Sequence, residues 1–517
     1  MTIRLNSEKR ATLLILALIM ILTTILAGCT GKDAETTVKT IDTEKILSEY
    51  RSILTIPRTG AAYPEKINEY IINRITEMGL QAETDSAGNV IVDVPATAGS
   101  EELPLTILQC HTDDEIAVSK GILFNAETDA ILPDVYRDDD AIYGNGTSMG
   151  ASGAVGIATI LNVIRTSTQH GPLRAVFTAG KDGDMSGVKN LNAKYMDGHC
   201  LISLDGDKLG TVEVGAAYAT TLRGDINTTP IATQGRHAYV LVASGFPERA
   251  AAVTDADEPH VNPVAIITEA LSNARSAGIL YELHEFVGGT NALRVPGEAT
   301  AIVVLNDYEE KKFLQIFENV AKEYRNDAGD KATITMIETP VPAEVMSNED
   351  ADKALTFLFG FLSSDFSAAT DEEASLCIGR VALSPGHFSC DISVQGRDQE
   401  VVDQIVSEQT NIEKLSGITI TETERIPGFM KVADDESVQL LCESYGKIVG
   451  EESKTANRAT VSELGYLREK NPDLQIMSIG VTIAKRNTVN ESIDRNTLAY
   501  PANAILKYLN EENPTIA

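Results

Sequence analysis

Apolar and polar positions along this chain repeat with two different periods, and the change from one to the other marks its organisation. Between Pro64 and Met78, apolar residues recur every three or four positions (Ile67, Tyr70, Ile71, Ile75, Met78), with Pro64 in the first turn and Gly79 past the last. That spacing predicts an amphipathic helix. Short continuous apolar runs follow: "LTILQC" (105–110), "LRAVFTA" (173–179) and "CLISLD" (200–205), separated by helical patterns at 152–165 and 186–193. Apolar strands alternating with helices predict an α/β domain whose largely parallel sheet is covered on both faces. In such sheets the site lies beyond the carboxyl ends of the strands. His111, Lys181, Asp182 and Asp205 all fall there.

From about residue 214 the texture changes. Strand patterns of antiparallel style, "HAYVLVASG" (237–245) and "ATAIVVLND" (299–307), bracket helices expected at 262–276 and 308–325, and a similar pattern recurs around "VALSPGHFSCDISVQG". Past "RIPGF" (425–429), an amphipathic helix and the apolar "QIMSIGVTI" (475–483) return to the first style. The expected architecture is therefore an α/β domain formed by 43–213 and 426–517, interrupted by an inserted α+β domain at 214–425.

The amino terminus adds a location. Arg4, Lys9 and Arg10 precede "ATLLILALIMILTTILAGC", an apolar run ending in small residues before Cys29. This is the layout of a secretory signal. The Leu26-Ala27-Gly28-Cys29 ending resembles a bacterial lipobox, so residues 1–28 are expected to be a signal peptide and Cys29 the lipidated first residue of the mature chain. The polar, aperiodic 29–42 reads as a tether. An uncleaved membrane anchor is the competing reading, and both place the protein outside the cytoplasm on a membrane.

The net charge of -32 over 517 residues argues against nucleic acid and against electrostatic attachment to anionic lipid, since both need a basic surface. Five cysteines beyond Cys29 (Cys110, Cys200, Cys377, Cys390 and Cys442) are scattered, without a CxxC, and suggest neither a disulfide framework nor a thiolate zinc site.

The candidate chemistry starts at "ILQCHTDDEIAV" (107–118), where His111 and Asp113 project together because residues i and i+2 at a strand end share a face. A metal-binding histidine usually passes its second N–H to an oxygen acceptor, a support role that a nearby carboxylate fits. His387 in "SPGHFSC" lies between two serines, but no G-x-S-x-G elbow accompanies it.

The order of motifs is more specific. HxD is followed by "GTSMGASGAVG", "HGPLRAVFTAGKDGDMSG", "ISLDGDKLGTVEVG", "GGTNALRVPGEA" (288–299), "IPGF" and "SIGVTIAKRNTVNESI" (478–493). Together they resemble the M20 family of di-zinc metallopeptidases, most closely its aminoacyl-histidine (Xaa-His) dipeptidase branch. The resemblance covers nearly the whole chain after the tether. It implies a catalytic α/β domain with an inserted lid and dimerisation domain, and a homodimer formed through that lid.

Carried over residue by residue, the resemblance makes His111 the first histidine ligand, Asp113 its catalytic partner aspartate, and Asp205 an aspartate ligand of the same metal. The aspartate that bridges both zincs would fall at Ser152, and the paired glutamates, general base then ligand, at Lys181 and Asp182. The last histidine ligand would fall at Asn487, the lid histidine near Ala250 and a substrate-binding asparagine near Leu293.

Two of these replacements, Ser152 and Lys181, remove chemistry. Two dications about 3.5–4 Å apart repel unless a shared carboxylate lies between them, and Ser152 is neutral. A lysine among acids stays charged, so Lys181 neither accepts a proton nor tolerates a metal. Two placements of Lys181 remain open: its ammonium filling metal space beside Asp182 or Asp205, or its side chain pointing to water from an exposed turn. The expectation is at most one zinc ion, held by His111, Asp205 and waters, the second metal keeping only the shortened Asp182 as a candidate ligand. The leading reading is a tethered pseudo-peptidase binding a peptide or small solute. Its rival is a metal-dependent dipeptidase or amidohydrolase with a single-metal site, or one rebuilt from neighbours such as Asp114, Asp184 or Glu491.

Overall fold

The computed structural model describes residues 39–60, 63–135, 140–206, 208–252, 261–325, 332–362, 374–431 and 436–511. The signal segment and Cys29 lie outside the described residues. Among those described, no helix is long and apolar enough to cross a membrane.

Two eight-stranded sheets organise the chain. The first has Thr106–His111 near its centre, flanked by Leu173–Thr178 and Cys200–Ser203, with Gln475–Ser478 next to the latter; these four strands run parallel. Val90–Val94 pairs antiparallel beyond Leu173–Thr178, so the sheet is parallel in its middle and mixed toward its edges. Alternation along the central strands sorts their side chains to two cores. Leu108, Cys110, Phe177, Ile202 and Met477 enter one with the helices Thr43–Leu54, Glu65–Glu77, Ala151–Thr166 and Tyr500–Glu511. Ile107, Val176, Leu201 and Ile476 enter the other, beneath Leu464–Lys470.

Local sequence explains the helices that frame the site. Thr43–Leu54 starts at Asp42, whose carboxylate accepts the Glu44 amide at 2.9 Å and so satisfies an amide the first turn leaves unpaired. In Glu65–Glu77, Ile67, Ile71 and Ile75 are fully buried, while Tyr70 and Met78 sit at the margin. Ala151–Thr166 is buried from Ala151 through Ile164, which accounts for its apolar, glycine- and alanine-rich sequence.

At Ala217 the chain leaves this sheet for the second, and at Pro427 it returns. The second sheet is antiparallel throughout, in the order Thr333–Thr339, His237–Ser244, Ala299–Leu305, Tyr281–Gly289, Ala374–Ser384, His387–Gly396, Tyr218–Asn227 and Ile420–Ile426. The helices Pro263–Ser276, Glu310–Arg325 and Asn348–Leu362 close a separate core around Phe286, Phe313, Phe357 and Phe388. The inserted unit therefore buries its own apolar surface. Polar contacts join it to the first unit: Arg294 Nη1 to Glu115 Oε2 at 3.1 Å, and Arg397 Nη1 to the carbonyls of Asn457 and Arg458 at 3.2 and 3.1 Å.

The loops that carry the candidate residues touch backbone to backbone. A methyl carbon added at Gly480 would lie 1.8 Å from the Gly206 carbonyl oxygen. Tyr445 also donates its hydroxyl to the Gly480 carbonyl, so that loop has no room to retreat. Gly480→Ala is expected to lower stability by about 2–4 kcal/mol through overpacking, measured as a drop in the midpoint of denaturant unfolding.

Candidate functional site

Three parallel strands end side by side, and their carboxyl ends deliver His111, the 179–185 turn and Asp205 to one place. Register fixes this: His111 lies opposite Thr178, and Gln109 opposite Ser203. The turn is held by Asp113, whose two carboxylate oxygens accept the amides of Lys181 at 3.0 Å and Asp182 at 2.8 Å. Tyr63 Oη accepts the Gly180 amide at 2.9 Å. Asp113 thus positions the turn. Its backbone carbonyl, 2.9 Å from His111 Nδ1, makes the short contact, while its Oδ1 stands 3.7 Å from that nitrogen and still favours the charged ring.

At the centre stands Asp205, 1 % exposed. Lys181 Nζ lies 3.5 Å from its Oδ1 and 3.2 Å from Asp182 Oδ1. Of the two placements left open by the sequence, the structure adopts the inward one. Arg486 Nη2 reaches the same Oδ1 at 2.5 Å and Ser152 Oγ at 2.6 Å. Arg458 holds the other side, with Nη1 at 3.0 Å from Oδ2 and Nη2 at 2.6 Å from the Asp205 carbonyl, and it also bonds Glu213. His111 Nε2 is 2.9 Å from Ser152 Oγ and 3.3 Å from Asp205 Oδ1.

The electrostatics follow from this crowding. Burial alone would raise the Asp205 pKa, but Lys181, Arg486, Arg458 and the His111 hydrogen bond hold it well below the usual carboxylate range. Burial would discharge Lys181; Asp182 and Asp205 outweigh that and raise its pKa. For His111, burial and Lys181 push downward, yet the hydrogen bonds to Asp113 and Asp205 prevail and lift it to about 10. His111 is therefore an imidazolium at neutral pH, with both ring nitrogens donating.

Asn487 does not enter the cluster through a described side-chain bond. Its amide donates to Glu491 Oε1 at 3.1 Å, and its neighbour Arg486 points inward instead. Positive φ at Lys485 and Asn487 (52° and 57°) shapes this turn. The neighbours that would rebuild a metal site are committed elsewhere. Glu491 Oε2 accepts the Met149 amide at 2.7 Å, Asp114 pairs with buried Arg58, and Asp184 accepts the Ser186 amide at 2.9 Å from the exposed side of the turn. Among the described residues, no three His, Cys, Asp or Glu side chains gather as metal ligands.

The positions expected to carry lid contacts sit together. Ala250 pairs with Arg294, and the Leu293 carbonyl accepts the Ala251 amide at 2.8 Å. Two cations and an acid of the site escaped the sequence. Arg486 had a signal, because it adjoins Asn487 in "AKRN" and a buried carboxylate needs partners. Arg458 had none, lying 253 residues from Asp205. Glu463 is fully buried behind the site, its Oε1 accepting Gln109 Nε2 at 2.8 Å and Thr178 Oγ1 at 3.0 Å, and burial raises its pKa to about 7.

No family model matches the chain. It is 24% identical over 496 residues to the cytosol non-specific dipeptidase of Escherichia coli (strain K12), covering 89% of this chain and 96% of that one. The solved aminoacylhistidine dipeptidase from Vibrio alginolyticus superposes with a TM-score of 0.66 at 21% identity, covering 93% of this chain and 99% of its own. Human carnosine dipeptidase 1 superposes with a TM-score of 0.51 at 9% identity, covering 91% and 96%. The fold is that of these dipeptidases, and the resemblance to M20 metallopeptidases of the Xaa-His branch extends over nearly the whole chain.

The raised His111 pKa has a definite sign. Its stabilising contribution is complete below the unfolded value of about 6.5 and is lost as pH rises through about 10. The ring nitrogen shifts of His111 are expected to remain those of an imidazolium at pH 8; a neutral tautomer at that pH contradicts the assignment.

Proposed function

We propose that this M20 dipeptidase-like chain is a membrane-tethered, extracytoplasmic lipoprotein whose cleft binds a peptide or similar small solute without hydrolysing it by a di-zinc mechanism. One observation carries the reading. Asp205, the residue matching a zinc ligand, has its Oδ1 3.5 Å from the Lys181 ammonium and 2.5 Å from the Arg486 guanidinium.

The donor set does not fit a pair of dications. Ser152 offers a hydroxyl where the resemblance requires a bridging carboxylate, and that hydroxyl already contacts Arg486. Metal-binding histidine must be neutral, so an ion at His111 would have to displace the proton that its carboxylate neighbours favour. At the general-base position, a lysine kept charged by Asp182 and Asp205 accepts no proton from water. Where an M20 enzyme neutralises its carboxylates with metal, this chain uses its own side chains. The dimer through the inserted domain belongs to the same proposal, as does the absence of a nucleic-acid partner.

The test uses the full chain in neutral detergent. After exposure to excess zinc and desalting, it is expected to retain at most about one ion per chain and to turn over no dipeptide, because a catalytic zinc needs about three protein ligands. Two tightly held ions, lost in His111→Ala and accompanied by turnover, would overturn the reading in favour of a metal-dependent hydrolase. Conversely, Lys181→Glu with Ser152→Asp, Asn487→His and Arg486→Ala is expected to raise zinc uptake. Unchanged uptake in a folded variant would count against the residue matching.

The tether has its own check. Mass spectrometry is expected to find a diacylated or triacylated Cys29 as the first residue, and Cys29→Ser to release the protein from membranes. An intact, unmodified Met1–Cys29 segment would leave only an anchor.

A further inference from the structure

A cavity of about 630 Å³ opens where the described chain begins, far in the fold from the Asp205 cluster. Lys39, Lys45 and Ser48 line one side, Asn162 and Arg165 the other, and Glu49 lies between them. Helix packing accounts for it. Ala151–Thr166 is buried as far as Ile164, so Arg165 is where that helix first reaches outward. Facing it, Thr43–Leu54 buries Ile46, Leu47, Tyr50 and Ile53, which leaves Lys45 and Ser48 on its outer side.

The acids of this cavity are already used. Glu49 is buried, and its Oε1 accepts Tyr70 Oη at 2.6 Å and Arg74 Nε at 3.0 Å, while Oε2 accepts Arg165 Nη1 at 3.4 Å. Glu44, the other acid of the wall, pairs with Arg495. The cations are not used in the same way. Among the described residues, the ammonium groups of Lys39 and Lys45 meet no acceptor. Arg165 shares Nη1 between Glu49 and Asn162 Oδ1, each at 3.4 Å, and keeps Nε and Nη2 without a partner among those residues. Two ammonium groups and part of a guanidinium therefore line one cavity with no carboxylate left to answer them, an arrangement suited to a phosphate.

Position narrows the source of that phosphate. Lys39 is the first described residue, and residues 29–38 precede it. That stretch spans at most about 35 Å when fully extended. On the reading of Cys29 as the lipidated residue, on which this inference rests, Lys39 is never farther than that from the bilayer surface. A short tether supplies an effective concentration in the millimolar range, so a weak site suffices. The net charge of -32 offers no broad basic face for anionic lipid. Recognition has to be local, one phosphate held in a cavity whatever the net charge of its lipid.

We propose that this cavity takes the phosphate of a phospholipid headgroup between Lys39, Lys45 and Arg165, and so sets which side of the first unit faces the membrane.

The experiment reconstitutes the full chain in vesicles of phosphatidylcholine or of a neutral galactolipid, which offers a bilayer without phosphate. Mass spectrometry then follows how fast a limiting amount of an amine-reactive reagent modifies Lys39 and Lys45. Modification is expected to be at least about threefold slower in phosphatidylcholine, because the phosphate keeps both ammonium groups protonated and shields them. Lys414, exposed on the inserted unit, is expected to react equally in both. Arg165→Gln is expected to remove most of the difference, and Lys45→Gln, at an exposed position that does not threaten folding, to do the same at Lys39. Equal rates in the two vesicles, or an undiminished difference in the folded variants, would overturn the proposal. Protection by millimolar inorganic phosphate in galactolipid, with none from phosphatidylcholine, would assign free phosphate instead and overturn the headgroup. A chain that associates with neither vesicle refutes the tether rather than the cavity. Glycerophosphocholine added to the chain in neutral detergent then decides the cavity by the same lysine modification: slowed reaction supports it, and an unchanged rate overturns it.

Discussion

One buried carboxylate organises the centre of this protein. Asp205 sits at the end of an interior strand with almost no contact with water, and an unpaired charge there would cost several kcal/mol. Its neutralisation draws on three remote parts of the chain: Lys181 from the turn after Leu173–Thr178, Arg458 from the end of Lys454–Arg458, and Arg486 from the turn before Ser492–Asp494. The tight glycine approach at Gly206 and Gly480, and the grip of Asp113 on the 180s turn, make sense as the means of holding those parts within reach.

On the proposed reading, side-chain cations do for this scaffold what metal ions do in the dipeptidases it resembles, but only in part. A guanidinium or ammonium offsets charge and donates hydrogen bonds. It does not polarise a carbonyl as a Lewis acid or lower the pKa of a bound water. The cluster therefore supports the architecture around Asp205. Contacts such as Arg294 with Glu115 and Arg397 with the Asn457 and Arg458 carbonyls tie the inserted unit to the same region.

Much of the fold was legible because local patterns and global contacts agree in it. The apolar runs ending at Cys110, Ala179 and Asp205 became neighbouring parallel strands, since nothing but burial on both faces accommodates such sequences. The helix after Pro64 and the antiparallel strands at 237–245 and 299–307 fell close to their expected limits. The site was legible only where it is local. Lys181 and Asp182 share a turn, whereas Arg458 and Glu463 meet the site through contacts of long sequence separation that no short motif announces. Asp113 has two uses at once: its carboxylate takes the backbone amides of the turn, which no short motif announces, and its carbonyl meets the His111 ring.

The shared contacts of Arg486 and Lys181 on a single oxygen limit which substitutions the site tolerates. Adding a carboxylate beside Asp205 puts negative charge into a region whose balance is already struck, while deleting a cation weakens the neutralisation of a buried carboxylate. Single substitutions of either kind are therefore uphill, and only changes made together can keep the charges matched. Such a centre is a locked unit, in which no member can be exchanged without answering the charge of another.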